Sequence, residues 1–141
     1  MRSVFEEIKS QVAVRPQAAS AAVTSAAIDT AGFRSLMVTV ENGAATGTPS
    51  SYTVDAKVQE CATSGGSYTD ISGAAITQIS ADNKSAQIRV DGLGTNARKR
   101  YIKVVVTPAL TGGSTPKALV AANVLFGVPQ VAPVSNSATG A

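Results

Sequence analysis

The feature that most constrains this chain is residues 52–60, YTVDAKVQE, where apolar and polar side chains alternate without a break. Tyr52, Val54, Ala56 and Val58 fall on one side of an extended backbone; Thr53, Asp55, Lys57 and Gln59 fall on the other. A period of two with one dry and one wet face specifies a strand in an antiparallel sheet. Residues 35–41 repeat the pattern, with Leu36, Val38 and Val40 set against Met37, Thr39 and Glu41. Further strands are predicted over residues 21–28, 68–71, 74–79, 86–91, 98–107 and 118–126. The last is nearly all apolar, which places it centrally in its sheet. Turn-forming stretches separate them: NGAATGTPS at 42–50, TSGGS at 63–67, DGLGTNA at 91–97 and PALTGGSTPK at 108–117. About seven or eight short strands with a turn every ten residues or so predict an all-β antiparallel sandwich or barrel.

The helix signal is confined to the beginning. Ser3 and Glu6 have the spacing of a capping box, and Val4, Ile8 and Val12 recur every four residues. Arg15-Pro16 then ends the segment, because proline pushes the residue before it out of helical geometry. The expected organisation is an N-terminal arm over residues 1–16, a sandwich domain over 17–127 and an extended or disordered C-terminal tail over 128–141.

Composition removes several chemistries. The 141 residues include no histidine and one cysteine, Cys61. A Ser-His-Asp triad, a Cys-His dyad, a Cys/His zinc site and an internal disulfide are therefore all excluded. Asp55, Glu60, Asp70, Asp82 and Asp91 fall on wet strand faces or in turns, where Asp ordinarily forms turns or adds solubility. The run Asp91-Gly92-Leu93-Gly94-Thr95 lacks the remaining residues of a phosphate loop and leads into a strand rather than a helix. No enzyme activity, cofactor, metal or small-molecule substrate is expected. Residues 1–14 are broken by Glu6, Glu7 and Lys9 and do not read as a secretion signal, and no segment approaches the length of a membrane span.

Two features suggest contact with other molecules. Arg98, Lys99 and Arg100 are three adjacent cations leading into the Val-rich strand that follows, in a chain whose net charge is only +3. With the other cations scattered and aromatics at 4%, they read as the charged rim of a core strand; if they touch a partner, an acidic patch on a neighbouring subunit is expected rather than a phosphate backbone. Nucleic-acid contact is not expected. The second feature is apolar: Val4, Phe5, Ile8 and Val12 in the arm, with Val131 and Val134 in the tail. A segment as short as the arm needs a partner surface, either its own sheet or another subunit.

Three stretches carry a family resemblance. Residues 58–71 form a strand, a small Gly/Ser loop and the return Tyr68-Thr69-Asp70. Residues 99–107 read KRYIKVVVT, and residues 118–127 read ALVAANVLFG before a proline-bearing tail. Together they resemble small β-rich virion proteins of tailed bacteriophages, of the capsid decoration or cement type. The resemblance implies a virion protein on the head surface, assembled in the bacterial host cytoplasm. It binds and stabilises the shell through contacts with the major capsid protein and neighbouring copies of itself. A neck, head-closure or tail protein is the alternative within the virion, and a carbohydrate-binding β-sandwich is the alternative outside it.

Overall fold

The computed structural model describes residues 3–130. A single helical turn, α1 (Val4–Glu7), precedes nine strands: β1 (Lys9–Ala19), β2 (Val23–Thr24), β3 (Ile28–Asp29), β4 (Phe33–Asn42), β5 (Ser51–Cys61), β6 (Thr69–Ala75), β7 (Ser85–Asp91), β8 (Tyr101–Thr111) and β9 (Ala118–Pro129). They form two antiparallel sheets. One has the order β1-β9-β4-β7; in the other, β8 lies between β5 and the short strands β2 and β3, and β6 flanks β5. The architecture is the predicted β-sandwich.

The alternating strands supply its core. Leu36, Val38 and Val40 of β4 and Val120, Val124 and Phe126 of β9 point inward from one sheet. Val54, Ala56 and Val58 of β5 and Ile102, Val104 and Val106 of β8 meet them from the other. Phe33 and Phe126 stack with ring centroids 5.1 Å apart, filling one end of a core otherwise built from small aliphatic side chains. The predicted central position of the last strand holds: β9 is hydrogen-bonded to β1 on one side and β4 on the other.

The N-terminal reading is corrected. Of the helix expected over residues 3–12, only Val4–Glu7 is helical, held by the predicted box in which the Ser3 amide donates to Glu6 Oε2 at 3.0 Å. A spacing of four is also even, so Ile8 and Val12 equally suit one side of a strand. The open edge of β9 offers Lys9–Ala19 a ladder of hydrogen bonds, and β1 forms there, across the boundary expected at residue 16. Pro16 does not end the segment. It sits where the β1–β9 register skips between Val14 and Gln17, on an edge strand that tolerates proline.

Three other segments differ from expectation. Residues 21–28 do not form one strand, because Ser25 interrupts them. Its amide donates to the Val104 carbonyl at 2.9 Å, while its hydroxyl accepts from the Val104 amide at 2.9 Å. A side chain there replaces a backbone partner and leaves only β2 and β3. Conversely, β8 continues through Pro108 to Thr111. Pro108 lies opposite Val54, whose amide and carbonyl bond Ile79 on the other side. At that pair the β8 amide faces away from β5, so no ladder bond is lost. Of the strand expected at 74–79, Ala74 and Ala75 end β6 and Ile79 makes only that bridge to Val54.

The loops at one end of the sandwich are locked together. Gly47 and Gly113, at φ +77° and +74°, let loops 43–50 and 112–117 meet backbone to backbone. A Cβ on Gly47 would stand 2.4 Å from the Ser114 carbonyl oxygen. Buried Asn42 ties the next turn in: its Nδ2 donates to the Ala81 carbonyl at 2.9 Å, and its Oδ1 accepts from the Lys84 amide at 2.8 Å. Tyr52 donates to Asp82 in the same knot. Burial and that carboxylate push the phenol up to about 12.

Phe126 is 1% exposed and shared between the Phe33 stack and the facing sheet. Phe126→Ala is expected to lower unfolding stability by about 3–5 kcal/mol, read as a reduced urea midpoint.

Candidate interaction surface

The cationic run lies just before β8, in the turn that brings the chain back to the sheet. Two of its three charges are engaged within the chain. Arg100 makes a two-pronged pair with Asp29, Nε to Oδ1 at 2.9 Å and Nη2 to Oδ2 at 2.8 Å. Its carbonyl accepts from the Thr30 amide at 3.0 Å and the Thr30 hydroxyl at 2.6 Å. Arg100 thereby fastens β3 to the start of β8. The guanidinium, followed by burial acting in the opposite direction and by the Ala31 amide, sets a net shift of the Asp29 carboxyl below its ordinary value.

Arg98 approaches Glu60, the inward-facing carboxylate near the end of β5, with Nη1 3.6 Å from Oε2. Glu60 is buried and also accepts the Lys99 amide at 3.0 Å. Only Lys99 of the three carries an exposed charge that forms no ion pair among the described residues. The geometry supports the charged-rim reading: these cations close a corner of the fold.

The arm residues are placed differently. Val4 and Phe5 are 58% and 81% exposed, with no buried residue anywhere in α1. Ile8 and Val12 are half-buried, on the connection into β1 and on β1 itself. Val131 and Val134 lie outside the described residues. The structure thus brings Val4, Phe5, Ile8 and Val12 onto one segment, with Phe5 as its projecting tip. Arg98–Arg100 form a separate corner.

The two outer sheet faces are unlike. The face of β5, β6 and β8 is charged: Lys57 and Gln59 bind Asp70 at 3.0 and 2.8 Å, and Asp55 accepts from Gln78 at 2.9 Å. Its tyrosines are each covered by a cation, with Lys103 Nζ 4.5 Å from the Tyr68 ring centroid and Arg100 5.2 Å from that of Tyr101. The face of β1, β9 and β4 mixes Leu119, Ala121, Leu125 and Met37 with Asn123, Thr39 and Glu41. Across the first half of β9 it opens into a groove of about 610 Å³, walled by Val12, Val14 and Pro16 and by Leu119, Ala121 and Gly43. Leu119 is 38% exposed there. The sequence reading missed this groove. Its signal was present in the small residues Ala121 and Gly43, but its other wall is β1 around Pro16, whose pairing with β9 no periodicity shows.

Among the described residues, no group of three or more His, Cys, Asp or Glu side chains could hold a metal, and no helix is long and apolar enough to cross a membrane. Cys61 is buried at the end of β5, its Sγ 3.9 Å from Thr63 Oγ1. In the 91–97 turn the Thr95 hydroxyl donates to the Gly92 carbonyl at 2.6 Å, closing the loop on itself.

No family model and no curated protein sequence matches the chain. Among solved structures, a chain of infectious bursal disease virus, Gx strain, is similar at TM-score 0.52 and 12% identity, over 89% of this chain and 35% of that one. The SPBc2 prophage-derived protein YomS aligns at TM-score 0.47 and 16% identity, over 89% of this chain and 97% of its own. Xylanase modules of Clostridium thermocellum, in a structure with xylohexaose, align at 0.49 and 12%, over 96% of this chain and 27% of that one. At these identities the likeness is one of fold.

Two predictions follow from the charged corner. Arg98→Ser, which strips the buried Glu60 of its counter-charge, is expected to cost about 1–3 kcal/mol. Lys99→Ser is expected to stay within about 0.5 kcal/mol, both read by urea unfolding. Asp29 is expected to titrate below 3.8 by carboxyl NMR and to move back toward it in Arg100→Ala. Because the native value is the lowered one, the pair's stabilisation is full above 3.8 and fades as pH falls through the native midpoint.

Proposed function

We propose that this chain is a non-catalytic structural protein of a virus particle, one that sits on the head shell and stabilises it through protein–protein contacts. One observation carries the reading. Asp29, Glu60 and Asp70 are paired with cations of the sandwich itself, while an apolar tip, Val4 and Phe5, and a mainly apolar groove on one sheet face stay uncovered. Such surfaces suit a part whose task is to be covered by a neighbour in an assembly. The resemblance of residues 58–71, 99–107 and 118–127 to phage virion proteins points the same way. The fold shared with a chain of infectious bursal disease virus is compatible with it.

The major capsid protein and neighbouring copies are the proposed partners, and the virion head surface the proposed location. A carbohydrate-binding role has less support, since the outward tyrosines that would form a sugar platform already carry cations over their rings.

The decisive experiment is quantitative mass spectrometry of purified particles from a host producing this chain. The proposal expects the chain in stoichiometry comparable to the major capsid protein, and particles lacking it to open at lower temperature. A single ring's worth of copies would move it to the neck or tail and overturn the shell position. Absence from particles would overturn the structural role. Deleting residues 2–14 is not a clean test, because it removes half of β1 from the sheet.

A further inference from the structure

We propose that copies of this chain bind each other head to tail, the Val4–Phe5 tip of one copy entering the β1-β9-β4 groove of the next. The inference concerns contact between copies and stands whichever surface those copies sit on.

Position comes first. The tip leads into Lys9, which pairs with Phe126 near the end of β9. The groove runs from Val12, which pairs with Asn123, to Ala18, which pairs with Leu119. Its near end is three residues along β9 from the Lys9 pairing and its far end seven, about 10 and 24 Å at the rise of a strand. The helical turn Val4–Glu7 holds Phe5 81% exposed, and no residue of that turn lines the groove of its own copy. Knob and hole face different neighbours.

Chemistry matches them. The knob is an 81% exposed phenylalanine beside a 58% exposed valine. The hole is lined by valine, proline, leucine, alanine and glycine, with Gln17, Asn42, Asn123 and Glu41 among them, and has the volume for an aromatic ring with an aliphatic neighbour.

Charge matches too. The knob carries Glu6 and Glu7. Around the groove stand Arg15, next to the wall residues Val14 and Pro16; Lys84, whose amide bonds the lining residue Asn42; and Lys117, one residue before β9. All three cations are exposed, and none forms an ion pair among the described residues. Of the lining itself Glu41 is the charged member, and Asp82 shares the turn that carries Lys84. The acidic tip therefore meets a predominantly basic rim, which favours this partner over a copy presenting its own groove.

A contact between two different patches of one chain is heterologous, so it propagates into a ring or a row and does not stop at a symmetric dimer. The test uses the whole isolated chain in analytical ultracentrifugation, at low salt and across a concentration series. Wild type is expected to grow in mass with concentration, and more weakly at high salt. Phe5→Asp and Leu119→Asp, both at exposed positions, are each expected to weaken association about tenfold or more. Mixed together, they retain one intact knob and one intact hole, and are expected to form a one-to-one dimer and nothing larger. Should Leu119→Asp lose its β-sheet circular dichroism, Lys117→Glu serves as the groove-side variant, with weakened association again expected. A wild type that stays monomeric throughout overturns the proposal. So do single variants that assemble like wild type, and so does a mixture that yields no heterodimer. None of these outcomes depends on capsids, so failure here is distinct from failure of the shell role.

Discussion

The insertion of β9 between β1 and β4 is the contact on which the rest of the structure depends. It joins the beginning of the described chain to its end and gives the first sheet its width. It also sets the length of the inward face, from Ala118 to Phe126, against which the second sheet packs. Because β1 ends its pairing at Lys9, α1 is left beyond the sheet with its apolar side chains uncovered. Pro16, where the β1 register skips, lines a groove on the outer face beside Leu119 and Ala121. Both uncovered apolar surfaces thus follow from one strand and the way its edge partner docks.

The parts of this fold that were legible from the residues are those where side-chain period alone decides. Val54, Ala56 and Val58 could face only one way, and so could Leu36, Val38 and Val40; all six are buried. The illegible parts are those where a tertiary partner overrides a local signal. Val4, Ile8 and Val12 fit a helix and a strand equally well until β9 supplies an edge to pair with. Residues 21–28 have strand composition, but the Ser25 hydroxyl takes the place of a ladder partner. Pro108 reads as a stop, yet its missing amide falls where β8 needs no bond to β5.

The candidate surface divides along the same line. The cations at 98–100 were visible as a run, and their reading as a rim could be made from charge scatter alone. That Arg100 pins β3 through Asp29, and that Glu60 sits buried under Arg98, required partners 71 and roughly 40 residues away in the chain. The apolar arm was visible as a list of side chains. Its division into a half-buried stem, Ile8 and Val12, and a projecting tip, Val4 and Phe5, was not. Together these features describe a part built to be rigid inside and adhesive at two places outside.

The central claim is that those two apolar places are covered when the protein is at work. Hydroxyl-radical footprinting of Phe5 and Leu119, in purified particles and in the dilute isolated chain, tests it most directly. The account predicts that both side chains react readily in the dilute chain and are protected in the particle, while Tyr68 on the opposite face changes little. Equal reactivity of Phe5 and Leu119 in the two states would contradict it.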